Sequence, residues 1–287
     1  ELPEELTSLN LIGCRSLTDV SVLAGLKNLT TLDLRECRSL TDLSDLGELK
    51  SLTHLNLSTC GSLTDVSGLA GSNNLTSLSL YSCNTLTDVS GLAGSNNLTS
   101  LKLIRCKSLT DVSTLGELKN LIYLDFSMCE SLTDVSALGE LKNLTSLNLS
   151  RCSSLTDVSA LGELKNLTSL NLNKCDLTDV SALGELKNLA SLNLEECKSL
   201  TEVSMLGEFK NLTSLDLKGC GGLRKLDPLS SLRHLEVLDI EDCLRINSLS
   251  PLREIPALRN VKGFNPDQTS ELLAHTAVLR TDRAFIN

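Results

Sequence analysis

Between Leu144 and Asn166 the apolar positions fall at Leu144, Leu147, Leu149, Cys152, Leu155, Val158, Leu161 and Leu164. The L-x-L step has period two and predicts a short strand. Its leucines point inward, and the residues between and beside them point outward. The later S-x-L-x-x-L step has spacing three and predicts a helical or 3₁₀ turn. This text recurs along nearly the whole chain, and the cysteines are its ruler: Cys14, Cys37, Cys60, Cys83, Cys106, Cys129, Cys152, Cys175, Cys197, Cys220 and Cys243. Successive spacings are 23 residues, except for 22 between Cys175 and Cys197, where Cys175-Asp176-Leu177 is one residue short.

A unit this small cannot offset the conformational entropy of ordering it by burying its own leucines. Stacked units cover each other, which predicts an α/β solenoid with one strand per coil in a parallel sheet on the concave face. Short helical, 3₁₀ or loop segments then form the convex side. The expected organisation is a remnant of a preceding repeat over 1–5, eleven repeats over 6–257, and a partial repeat with a C-terminal capping helix over 258–287. The opening ELPEELTSL reads as the tail of a repeat that continues upstream. At the other end, Pro266 and Asp267 form a helix start, followed by Leu272, Leu273, Thr276 and Leu279 on one helix face.

Composition narrows the function classes. The chain has 287 residues, a net charge of −10 and a pI near 4.9, which argues against a basic nucleic-acid footprint. It lacks the run of about eighteen apolar residues that a membrane span needs. Aromatics make up 2% and Trp is absent, so leucine fills the core.

The cysteine ladder contains no C-x-x-C pair to converge on a metal, and it reads as a row of small buried thiols. Free thiols in that number favour a reducing compartment, hence the cytoplasm or, for a bacterial effector, a host cytosol. An acidic ladder (Asp19, Asp42, Asp65, Asp88, Asp111, Asp134, Asp157 and Asp179, then Glu202) reads as capping of the following turn in T-D-V-S, ahead of Ca²⁺ binding. Eight N-x-S/T sequons, at Asn28, Asn56, Asn74, Asn97, Asn143, Asn148, Asn166 and Asn211, read as by-products of the repeated K-N-L-T and L-N-L-S. Three scattered histidines and no nucleophile elbow, phosphate loop or dinucleotide fingerprint point away from an enzyme and from any cofactor.

Variation between repeats is the remaining signal. Residues 132–152 and 155–175 are the same text apart from Ser150-Arg151 against Asn173-Lys174. The strand position between the inward leucines is Asn or Asp in every repeat except at Ser79 and Lys102. The two residues before each cysteine vary far more. Tyr81, Ile104, Tyr123 and Met128 place aromatic and apolar side chains on this surface, as expected at an interface centre. Lys102, Arg105, Lys107, Arg151 and Lys174 form a basic stretch, followed by an acidic one at Glu195, Glu196, Glu241 and Asp242. The candidate partner-binding set is Tyr81, Lys102, Ile104, Arg105, Tyr123, Asp125, Met128, Arg151, Lys174 and Glu195.

The L-x-x-L-x-L-x-x-C-x-x-L pattern resembles a leucine-rich repeat. Its L-T-D-V-S-x-L half is similar to the D-I-S-x-L segment of bacterial internalin-like repeats, which usually carry Asn where this chain has Cys. Its C-x-x-L-T-D half is similar to the cysteine-containing repeats of F-box proteins, which are usually longer. The resemblance implies a horseshoe that recognises a protein partner through its concave face and has no catalytic activity. Such a chain would be the sensor or ligand-binding segment of a larger protein. The alternatives are a substrate-receptor segment of a ubiquitin-ligase assembly, a bacterial effector and, remotely, an autonomous enzyme. The sequence leaves the oligomeric state open.

Overall fold

The computed structural model describes residues 3–263, so the expected capping helix lies outside the described residues. The chain divides into two units, Glu1–Leu155 and Thr156–Asn287. In the first unit, β1 (Ser8–Asn10), β2 (Thr31–Asp33), β3 (His54–Asn56), β4 (Ser77–Ser79), β5 (Ser100–Lys102), β6 (Tyr123–Asp125) and β7 (Ser146–Asn148) pair in parallel, in chain order. The second unit repeats the arrangement with β8 (Ser169–Asn171), β9 (Ser191–Asn193), β10 (Ser214–Asp216), β11 (Val237–Asp239) and β12 (Asn260–Lys262). Each strand is three residues long, and its central residue pairs with the same position one coil away, as Leu78 does with Leu101. Coils are numbered below by their strand.

The other side of each coil is a 3₁₀ turn, such as Ser67–Leu69, Ser136–Glu140 or Ser204–Glu208. Leucines from strand and turn meet in the middle, most of them fully buried. Two phenylalanines, Phe126 and Phe209, are the largest fully buried side chains.

The polar residues of the repeat tie each coil to itself and to its neighbour. Asp Oδ1 of T-D-V-S accepts the amide of the serine that opens the turn, at 3.1 Å for Asp19, 2.8 Å for Asp111 and 2.8 Å for Asp179. These bonds hold the carboxyls below the ordinary range. At Asp19, Asp42 and Asp65 the serine hydroxyl contributes most; at Asp111, Asp134 and Asp179 the serine amide does. The Asn of K-N-L-T, or N-N-L-T in coils 4 and 5, donates its side-chain amide to a backbone carbonyl of the preceding coil: Asn74 to Lys50, Asn97 to Asn73, Asn143 to Lys119 and Asn211 to Lys187. The asparagine in those sequons thus has a packing role.

Nine cysteines, from Cys37 to Cys152 and from Cys197 to Cys243, join two coils. The Cys60 amide donates to the Leu57 carbonyl of its own coil, while its thiol donates to the Leu34 carbonyl one coil back at 3.3 Å. Cys83, Cys106, Cys129, Cys220 and Cys243 repeat this geometry at 3.0–3.2 Å. The buried-thiol reading therefore gains a hydrogen bond that residue volume alone does not predict.

The residue before each cysteine turns the chain out of the strand. All eleven such residues lie at positive φ: Gly13 and Gly219, and also Glu36, Thr59, Ser82, Arg105, Met128, Arg151, Lys174, Glu196 and Asp242. For L-residues with a Cβ this conformation is costly, and for β-branched side chains most of all. Thr59, at φ 65°, is the β-branched residue of the set. Thr59→Gly should therefore stabilise the first unit by about 1 kcal/mol, less a few tenths for the looser unfolded chain. The check is a rise in the urea midpoint at constant slope.

Coils 3 and 4 replace A-L-G-E-L-K with G-L-A-G-S-N. A Cβ on Gly68 would lie 2.1 Å from the Leu43 carbonyl carbon, and one on Gly91 would lie 2.1 Å from the Val66 oxygen, so glycine lets these turns approach the preceding coil. Ser72 and Ser95 occupy the matching leucine position, fully buried and with no partner for their hydroxyls.

Candidate functional site

The outward side of the first unit's sheet has a rule. The residue at the end of each strand is Asn or Asp, and its Oδ1 accepts the backbone amide two residues on, closing an Asx turn. Among the described residues this bond forms from Asn10, Asp33, Asn56, Asp125 and Asn148 in the first unit, at 2.8–3.1 Å. In the second unit it forms from Asn171, Asn193, Asp216 and Asp239. The exceptions are Ser79 in β4, Lys102 in β5 and, in the last strand, Lys262 in β12.

Coils 4–6 also carry the residues that break the surface pattern elsewhere. Tyr81 and Ile104 follow β4 and β5, and Tyr81 is 42% exposed. Tyr123 starts β6 where the flanking coils have Ser100 and Ser146. Met128 and Arg105 occupy the positive-φ position on adjacent coils, with φ of 63° and 60°. Ile122 was not anticipated from the sequence. It stands where other coils place a threonine whose hydroxyl reaches the preceding coil, as Thr99 reaches the Thr76 carbonyl, and it is 48% exposed. It borders an open depression with Asn97, Thr99, Asn120, Asn143 and Thr145. The usable signal was its departure from the T-S-L text, which the period-two reading passed over.

Lys102, Tyr123 and Asp125 form one network. The Lys102 ammonium lies 5.9 Å from the centre of the Tyr123 ring, close enough for a cation–π contact. The Tyr123 hydroxyl donates to Asp125 Oδ2 at 3.0 Å. Burial pushes the Tyr123 phenol up to about 12, with the Asp125 charge and hydrogen bond adding to it. Asp125 was expected on the binding surface, but it is 5% exposed. Its oxygens are occupied by the Ser127 amide, Tyr123 and the Asn148 side chain. Its place is under the face, holding Tyr123.

The charge segregation read from the sequence is largely internal pairing. Lys107 meets Glu130 at 2.8 Å in the first unit. Within the second unit Lys174 meets Glu196 at 3.0 Å, Asn173 donates to Glu195, and Lys218 pairs with Glu241. Lys174 and Glu195 are thus engaged with neighbouring coils. Arg105 and Arg151, both exposed, form no ion pair among the described residues.

The parallel three-residue strands, the 3₁₀ turns and the leucine core define a leucine-rich-repeat solenoid. The family profile for leucine-rich repeats matches residues 27–71, 50–94 and 119–163. The profile described as the leucine-rich-repeat domain of the endo-β-N-acetylglucosaminidase EndoS matches 160–253. Among solved structures, internalin C2 of Listeria monocytogenes is 33% identical, with 66% of this chain and 80% of that one covered at a TM-score of 0.57. The chain belongs to the leucine-rich-repeat family. Two further structures share the fold. An internalin (inlF) of the same bacterium is 22% identical over 91% of this chain and 88% of that one, with a TM-score of 0.62. A leucine-rich-repeat protein of Leptospira interrogans is 24% identical over 91% and 79%, with a TM-score of 0.54. No curated protein sequence matches the chain. No helix among the described residues is long and apolar enough to cross a membrane.

Proposed function

We propose that this chain is a non-catalytic recognition module that binds a protein partner through the outward sheet face of coils 4–6. One observation carries the reading. Tyr81, Lys102, Ile104, Ile122 and Tyr123 stand at outward positions of three adjacent coils, and both tyrosines of the chain are among them. Departures from a structural rule without a packing gain mark functional surface. Aromatic, apolar and arginine side chains are those enriched at interface centres. Arg151, one coil further, extends the face. Lys174 and Glu195 belong to the second unit and stand as a separate proposal for its rim.

The module serves as the sensor or ligand-binding segment of a larger protein, in keeping with the family's common role as a binding scaffold. The match to the repeat domain of a glycosidase fits a non-catalytic piece of a larger chain. The buried free thiols support a reducing compartment, the cytoplasm or a host cytosol reached by a bacterial effector. A ubiquitin-ligase receptor segment is the second reading, carried by the cysteine at each turn.

Tyr81→Ala combined with Tyr123→Ala tests the face. For a partner captured by the intact chain and titrated calorimetrically, the double variant should bind at least tenfold more weakly, while its urea transition stays cooperative. Unchanged affinity would remove these coils from the interface.

A further inference from the structure

We propose that coils 4 and 5 carry a carboxylate-binding notch, formed by the backbone amides of Tyr81 and Ile104 with the side chains of Lys102 and Arg105. Its ligand is an acidic side chain of the protein partner. This rests on the face reading above and specifies the partner's chemistry.

The repeat itself shows what is different there. In nine of the other coils, 1–3 and 6–11, the amide two residues beyond the strand end is taken by an Asn or Asp side-chain oxygen of the same coil. Ser79 and Lys102 cannot do this. The Ser79 hydroxyl engages the Ser58 hydroxyl at 2.9 Å, and lysine has no acceptor. Among the described residues neither the Tyr81 nor the Ile104 amide meets an acceptor. The two amides sit on neighbouring coils: Ser79 pairs with Lys102, and the next amide, that of Ser82, donates to the Ile104 carbonyl at 2.7 Å.

Coil 6 shows which oxygen fits. There one carboxylate, that of Asp125, places Oδ1 on the Ser127 amide at 2.8 Å and gives Oδ2 to Tyr123 and Asn148 at 3.0 and 3.2 Å. A partner's carboxylate would supply coils 4 and 5 with what Asp125 supplies coil 6. The local charge favours it over a neutral amide. Asp125 is the one carboxylate on the outward positions of coils 3–7, and it is already engaged; Lys102 and Arg105 stand exposed beside the notch. In a chain of net charge −10 this is a cationic spot that selects anions. Tyr81 and Tyr123 flank it, so the acidic residue should have an apolar or aromatic neighbour.

The test is an amide-resolved NMR titration of the whole chain with N-acetyl-aspartyl-phenylalaninamide, against N-acetyl-asparaginyl-phenylalaninamide. The acidic dipeptide should move the Tyr81 and Ile104 amide signals saturably, and the neutral one should bind at least tenfold more weakly. Ser79→Asn gives coil 4 the acceptor its siblings have, without touching either charge or either tyrosine. It should weaken the acidic dipeptide at least tenfold and raise the urea midpoint. Equal response to both dipeptides, no response, or full affinity in Ser79→Asn overturns the notch. A captured partner that needs Tyr81 and Tyr123 but ignores Ser79→Asn overturns the notch and leaves the face standing. A partner indifferent to the tyrosines overturns the face.

Discussion

Raising the pH from 8 to about 11 should unfold the protein cooperatively. The cause is the cysteine ladder. Burial pushes the thiols of Cys60, Cys83, Cys129 and Cys197 up to about 12, from an ordinary value of 9.0. The thiols of Cys106 and Cys220 shift in the same direction for the same reason. The unfolded chain therefore releases these protons first. The stability they contribute is complete below pH 9 and is lost as pH rises from 9 towards 12. Each thiol contributes a slope of about 1.4 kcal/mol per pH unit. Four of them remove roughly 5–6 kcal/mol in a single unit, which is comparable to the whole margin of an ordinary domain, about 5–15 kcal/mol. Circular dichroism should lose the folded signal in step with the rise of thiolate absorbance. Thiolate appearing near pH 9 while the fold persists would show that the cysteines are accessible, and would contradict their burial.

The capped aspartates set the opposite limit. Their serine partners hold Asp19, Asp42, Asp65, Asp111, Asp134 and Asp179 below the ordinary carboxylate value of 3.8. Their contribution is present above that value and fades as pH falls through the lowered ones. These side chains face solvent, so each effect is small beside that of a buried thiol.

The solenoid was legible because its apolar code is short and repeated: Leu147, Leu149 and Cys152 fix which side of the strand faces in, and the 23-residue spacing fixes the stacking. Features that depend on backbone geometry were not legible. Asn148 and Asp125 read as outward polar residues, but the bond to the amide two residues on leaves no trace in a polarity pattern. For that reason the exceptions Ser79 and Lys102 were noticed without their consequence. The left-handed turn before each cysteine was hidden because glycine, its usual marker, stands at only Gly13 and Gly219, while Thr59, Met128 and Arg151 hold the same conformation. The basic and acidic stretches looked segregated because residues 22 or 23 apart in sequence are neighbours in space. Lys174 and Glu196, or Lys218 and Glu241, pair across one coil step. The apolar half of the candidate site survives this test, since nothing in the fold accounts for Tyr81, Ile122 or Met128 being exposed.

Asparagine should be far better tolerated at Cys60 than at Leu57, although both residues are fully buried in the same coil. At position 60 the incoming amide finds a partner already in place. The Cys60 thiol donates to the Leu34 carbonyl at 3.3 Å, and an Asn Nδ2 can donate to the same oxygen. What remains is mild overpacking of a larger side chain, about 1–2 kcal/mol. At position 57 the side chain points among leucines. Its backbone groups are already engaged: the amide donates to the Ser79 carbonyl at 2.8 Å, and the carbonyl receives the Cys60 amide at 3.2 Å and the Cys83 thiol at 3.2 Å. Leu57→Asn loses a buried isobutyl group and leaves an amide without partners, about 4 kcal/mol or more. Urea midpoints should therefore fall in the order wild type, Cys60→Asn, Leu57→Asn. The reverse order of the two variants would refute the inward placement of strand leucines and the thiol's bond to the coil behind it. The two substitutions also separate in alkali. Cys60→Asn removes one titrating thiol and should flatten the loss of stability above pH 9 by about 1.4 kcal/mol per unit, whereas Leu57→Asn should leave that slope unchanged.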